Sequence, residues 1–146
     1  MEANTVRQMT TPWSGARGLT TGLMLTDLHQ DVWTGNLLLS MGMPMQAAAP
    51  PKVIYQLQFD HVFGYRMLEG TDVLDFMDDE DDSGSDIQIH LITPSRFLIW
   101  FHRQSQGLHL DDDIQHYRIA SWDYCVDVLA GQVPQVLVKQ SSAQHK

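Results

Sequence analysis

From Val53 to Met67 the chain alternates. Val53, Tyr55, Leu57, Phe59, His61, Phe63, Tyr65 and Met67 fall on one face, and Ile54, Gln56, Gln58, Asp60, Val62, Gly64 and Arg66 on the other. Successive side chains of a pleated strand point to opposite faces, so a period of two with one nearly apolar face belongs to a half-buried antiparallel strand. The run exceeds the usual strand of about 3 to 10 residues, so a bend or bulge is expected, and Gly64 is the best-suited position.

A strand needs partners, and the sequence offers several. "DIQIHLI", "HYRIAS", "YCVDVLA" and "PQVLVK" read as short strands, the middle two joined by a tight turn at Trp122-Asp123. Between Leu19 and Leu39, "GLMLTDL" and "VWTGNLLLS" flank "HQD" as the arms of a hairpin would, although Leu37-Leu38-Leu39 also fits a helix. In "TPSRFLIWFHRQSQG" the apolar residues satisfy both periods. Punctuation favours a helix over about 94–106: Thr93 at the N-cap, Pro94 at the first helical position and Gly107 as the stop. Within "EGTDVLDFM", Thr71 would cap a single helical turn carrying Val73, Leu74 and Met77.

The expected class is therefore α+β or mainly β, an antiparallel sheet of about five to seven strands with one packed helix. With 146 residues and 43% apolar side chains, one globular domain over 1–146 is expected. Its margins would be an irregular N-terminal arm (1–18) anchored by Trp13, a Pro/Ala-rich loop (41–52), an acidic loop (77–86) and a frayed tail (140–146). The Met residues follow no helical stripe and read as core or linker residues.

Eighteen acids oppose nine bases, a formal charge of −9. Nucleic-acid binding rests on Lys and Arg displacing counterions, so no nucleic-acid partner is expected. The same field would attract a basic protein and speed its association. Cys125 is the single cysteine, which leaves no internal disulfide, and the chain opens on no basic patch followed by an apolar run. No apolar run approaches the ~20 residues of a membrane helix. A cytoplasmic protein without a membrane partner is the expectation.

The densest charge is "MDDEDDSGSD". An EF-hand loop needs oxygen ligands at positions 1, 3 and 5, glycine at 6 and a bidentate Glu at 12. Gly84 at position 6 aligns Asp79, Asp81 and Ser83, but position 12 becomes His90, and a strand follows instead of a helix. A solvated loop that also steers a basic partner fits better than calcium. Glu69, Asp72, Asp75, Asp78, Asp79, Glu80, Asp81, Asp82 and Asp86 are half of all the acids, with no Lys or Arg between Arg66 and Arg96. A second acidic knot, Asp111, Asp112 and Asp113, lies between His109 and His116 at a spacing that fits no compact metal motif. The partner-binding residues named from sequence are Asp75, Asp78, Asp79, Glu80, Asp81, Asp82, Asp86, Asp111, Asp112 and Asp113.

Catalytic signals are weak. Cys125 shares a strand face with Asp127, and a nearby carboxylate raises a thiol pKa, which disfavours a reactive thiolate. His61 interrupts an apolar face and reads as a core or rim histidine rather than a general base. No G-x-S-x-G, phosphate-cradling glycine loop or H-E-x-x-H occurs. No catalytic residue, metal or cofactor is assigned. The functional expectation is a small acidic protein that engages and neutralises a basic protein, most concretely as a toxin-immunity-type inhibitor. The alternatives are a small ligand-binding or hydrolytic β protein with His61, His90 or His116 in a pocket, and a self-associating structural subunit.

Overall fold

A computed structural model of the chain describes residues 7–20, 22–43, 52–69, 87–121 and 124–139. Its β-strands are β1 (Thr10–Pro12), β2 (Met24–Gln30), β3 (Leu37–Met43), β4 (Lys52–Phe59), β5 (Val62–Glu69), β6 (Gln88–Ile92), β7 (Gln115–Ala120), β8 (Tyr124–Ala130) and β9 (Gln135–Val138). The α-helix is α1 (Arg96–Gln104). Among the described residues the strands form two antiparallel sheets, a five-stranded one ordered β1-β6-β7-β8-β5 and a four-stranded one ordered β2-β3-β4-β9. The class is as the alternation implies: mainly antiparallel β with one helix.

The sheets face each other across one core. Leu37, Leu39, Met41, Leu57 and Phe59 on the four-stranded sheet pack with Ile89, Tyr117, Ile119, Val126 and Val128 on the five-stranded sheet. Each fully buried aliphatic or aromatic side chain of this kind contributes ~1.5–3 kcal/mol by leaving water. Alternation then sends the intervening residues of the five-stranded sheet to its other face. There Leu129 meets Phe97, Phe101 and Ile114 in a second cluster beneath α1. The molecule is thus layered sheet, sheet, helix, and the second interface holds the chemistry.

The long alternating run is two strands, not one. β4 ends at Phe59, Asp60-His61 makes the crossing, and β5 enters the other sheet. Gly64 does sit at an irregularity, because the β5–β8 register shifts between Val62 and Gly64. That shift breaks the face expected from sequence: Phe63 joins the helix-side cluster while Tyr65 packs against the inter-sheet core. A one-residue slip exchanges faces because the side-chain period is two. Arg66 stays on the face opposite Tyr65, as alternation expects, and lies opposite Asp127 in register.

Other boundaries differ from the sequence reading for local reasons. The N-terminal arm is partly ordered into the sheet, since β1 pairs with β6 and Trp13 meets Tyr117 edge-on, 6.1 Å between ring centroids. β2 and β3 form the hairpin, and Leu37-Leu38-Leu39 is strand. In the connecting turn Asp31 Oδ1 accepts from the N–H groups of Trp33 and Thr34, and Gly35 takes the left-handed backbone the turn requires. Met41 to Met43 and Lys52 belong to strands rather than to the Pro/Ala-rich loop. Gly42 is needed there, since a Cβ would collide with the Lys52 carbonyl oxygen at the register shift in β3. The helix starts later than Thr93-Pro94 suggests, because Ser95 is the N-cap and its Oγ accepts from Leu98 N–H at 2.9 Å. The expected turn at Thr71, the acidic loop, the Trp122-Asp123 turn and the tail from 140 lie outside the described residues.

Candidate functional site

The helix-facing side of the five-stranded sheet carries a row of charged side chains on adjacent strands. Register places Arg66 of β5 opposite Asp127 of β8, and Asp127 opposite Arg118 of β7. Directly opposed residues of opposite charge are the natural cross-strand pair. Arg66 Nε donates to Asp127 Oδ2 at 3.0 Å, and Arg118 Nε donates to Oδ1 at 2.9 Å.

His116, two residues before Arg118 on the same face of β7, reaches the same carboxylate. Its Nε2 lies 2.7 Å from Asp127 Oδ1, and its Nδ1 lies 2.7 Å from Ser95 Oγ. His116 and Asp127 are each only 1% exposed. Leu98 N–H donates to Ser95 Oγ, and the Asp127 carboxylate, which can only accept, requires the proton on His116 Nε2; burial favours the neutral ring, in which Nδ1 accepts from the Ser95 hydroxyl. The row therefore ties the N-terminus of α1 to three strands. A serine, histidine and carboxylate in hydrogen-bonded sequence resemble a hydrolytic triad in composition. Here Ser95 is buried and its Oγ caps the helix, so the geometry serves attachment of α1.

Electrostatics follow from burial and pairing. Burial alone would push the Asp127 carboxyl up, but the His116 hydrogen bond and the Arg118 and Arg66 guanidiniums outweigh it and hold the group well below the usual carboxylate range. For His116 burial is the largest influence and lowers its pKa, against the raising effect of Asp127. A histidine depressed on folding binds fewer protons in the native than in the unfolded chain. Its stability contribution is thus complete above an unfolded pKa of about 6.5 and lost as pH falls toward the folded value. Urea midpoints of the parent are expected to decline from pH 7 to 5, and His116→Gln, less stable at pH 7, is expected to show a flatter profile over that window.

Beside this network a groove opens between α1 and β5, with a volume of about 450 Å³. Phe63, Arg66, Phe97, Trp100, Phe101 and Gln104 contribute to its walls. The Arg66 guanidinium carbon stands 4.2 Å from the Phe97 ring centroid, and Phe97 stacks with Trp100 at 5.9 Å and 19°. Trp100 is half exposed. Along one side the rings continue: Phe63 meets His109 at 5.2 Å, and His109 stacks on Phe101 at 5.5 Å.

Of the residues named from sequence, those described do not converge on this site. Asp111, Asp112 and Asp113 are exposed in the turns between α1 and β7. Asp112 Oδ2 pairs with His109 Nδ1 at 3.0 Å, and Asp113 Oδ1 accepts from Gln115 Nε2 at 3.3 Å. Asp75, Asp78, Asp79, Glu80, Asp81, Asp82 and Asp86 lie outside the described residues. His61 is not a core residue; it is exposed at the β4–β5 crossing and stacks on Phe63 at 4.8 Å. His90 sits in β6 opposite Arg118, away from the groove lining, and His116 is sealed beneath α1. Among the described residues no three His, Cys, Asp or Glu side chains converge as metal ligands do.

Sequence reasoning missed Ser95, Arg66, Arg118 and Asp127 as a group. A signal was present: "HYRIAS" and "YCVDVLA" each carry one full charge flanked by apolar residues inside a strand, and a charge so placed needs a buried partner. Fold and site together define a two-sheet antiparallel β protein whose helix is fastened through a buried serine, histidine and aspartate, with buried Arg118 and part-exposed Arg66 paired to the aspartate. The chain matches no family model, no curated protein and no solved structure.

Proposed function

We propose that this chain is a binding protein that engages a basic protein partner, its most concrete form being an inhibitor that caps a basic toxin. The observation that carries the reading is the segment from Leu108 to Asp113. Leu108 is 78% and Leu110 65% exposed, and the three carboxylates that follow are exposed as well. Large apolar side chains held in water beside like charges are costly for a monomer and suited to an interface whose apolar contacts give affinity and whose carboxylates give steering. No Lys or Arg occurs between Arg103 and Arg118 to neutralise them, and the acids of 69–86 add to the chain's net negative charge.

Val133, also exposed, and Asp113 line one shallow cleft with Tyr117 and Gly131, which extends the surface toward the β8–β9 turn. In mechanism the carboxylates would draw the partner in, standing where a nuclease expects phosphates, and Leu108 and Leu110 would be covered on docking.

The test is affinity capture from the source lysate followed by association kinetics. The parent is compared with Asp111→Asn/Asp112→Asn/Asp113→Asn, with Asp78→Asn/Asp79→Asn/Asp81→Asn/Asp82→Asn, and with Leu108→Ser. A basic protein held by the parent and released by salt is expected, with the on-rate at low salt about tenfold or more lower in at least one acid-to-amide variant. Leu108→Ser is expected to speed dissociation instead. Retention that ignores both salt and the carboxylates would sink the proposal.

A further inference from the structure

We infer that the groove between α1 and β5 is a binding site for a small molecule that joins a flat aromatic ring to a carboxylate. The inference does not depend on the partner-binding reading, since its residues lie on α1 and β5 rather than on the acidic turns.

Three observations specify this chemistry. The first is shape: about 450 Å³ falls within the range of small-ligand sites, ~300–1,000 Å³. The second is the wall. Phe97 and Trp100 stack nearly parallel, and Trp100 remains half exposed, so the groove presents aromatic surface on which a planar ring stacks favourably.

The third is charge. In a chain with twice as many acids as bases, Arg66 is the charged member of the described groove lining, and no described lining residue is acidic. Its guanidinium is fixed from two sides, by Asp127 Oδ2 at its Nε and by the Phe97 ring 4.2 Å beneath its central carbon. A planar donor fork so held loses little freedom on meeting a carboxylate, the geometry it matches best. Gln104, on the last turn of α1, adds an amide to the same wall.

Replacing Arg66 would also unpair Asp127, so the test leaves it in place. Full-length protein is titrated with 2-naphthoate and, separately, with 2-naphthylmethanol, which has the same rings and no charge, following Trp fluorescence and calorimetric heat. Naphthoate is expected to bind saturably and the alcohol about tenfold more weakly, since a charge-assisted hydrogen bond is lost. Trp100→Ala removes stacking surface, and Gln104→Glu places a carboxylate in the groove. Each is expected to weaken naphthoate about fivefold or more while the urea midpoint stays near that of the parent. Equal affinity for acid and alcohol would overturn the anion specificity. Affinity untouched by both substitutions would overturn the location, and no saturation by millimolar naphthoate would overturn the site.

Discussion

Asp127→Ala is expected to remove ~3–5 kcal/mol of folding stability at pH 7, enough to unfold a domain at the low end of ordinary stability. The carboxylate accepts from Arg66, Arg118 and His116 at once and is buried on β8. Its loss leaves guanidinium charge beneath α1 without the carboxylate that solvates it, and an uncompensated buried charge costs more than a missing contact. His116 would lose the acceptor that fixes its tautomer, so Ser95 and the start of α1 would loosen with it. Urea titration at pH 7 measures the effect. Its pH dependence identifies the cause. A carboxyl depressed on folding contributes in full above its unfolded pKa, about 3.9, and loses that contribution as pH falls through the folded value. The gap between parent and variant should therefore persist from pH 7 to about 4 and narrow only in stronger acid. A gap already closed at pH 5 would assign the loss to something other than this carboxylate.

Legibility in the sequence tracked periodicity. Strands β4, β6, β7, β8 and β9 and the helix announce themselves because alternation, turn residues and caps act over a few neighbouring positions. The assignment of strands to two sheets does not, since nothing local to Asp60-His61 says that β5 leaves the sheet that β4 belongs to. The network under α1 is invisible for the same reason. Arg66 is sixty-one positions from Asp127, and nothing local to either residue sets the β5–β8 register that brings them opposite each other. In sequence, His116 stands out for its nearness to His109. The fold pairs the two imidazoles with different carboxylates, Asp127 and Asp112. The groove depends on tertiary placement too: Phe97, Trp100 and Phe101 form a helical stripe in sequence, but their use as a wall requires Arg66 from a distant strand.

Phe59→Ala is expected to cost a similar ~3–5 kcal/mol, on the order of 10 °C in Tm for a chain of this length, by a different mechanism. Phe59 has no exposed surface and spans the space between the sheets, its ring edge-on to Tyr117 at 5.5 Å and 65°. Tyr117 in turn holds Trp13, so a void at Phe59 would also unseat the ring that fastens the N-terminal arm. Packing carries no proton linkage. The penalty should thus be nearly the same from pH 8 to pH 3, where that of Asp127→Ala shrinks at the acid end. Measured side by side, the two profiles separate the layers of the molecule, a dry core between the sheets and an ionic seam beneath the helix. They also calibrate the surface experiments. Trp100 and Asp111 to Asp113 are exposed, and their replacement should stay within about 0.5 kcal/mol of the parent. A loss of partner or ligand binding in those variants would then report on the surface itself, because the core and the seam that position it would be intact.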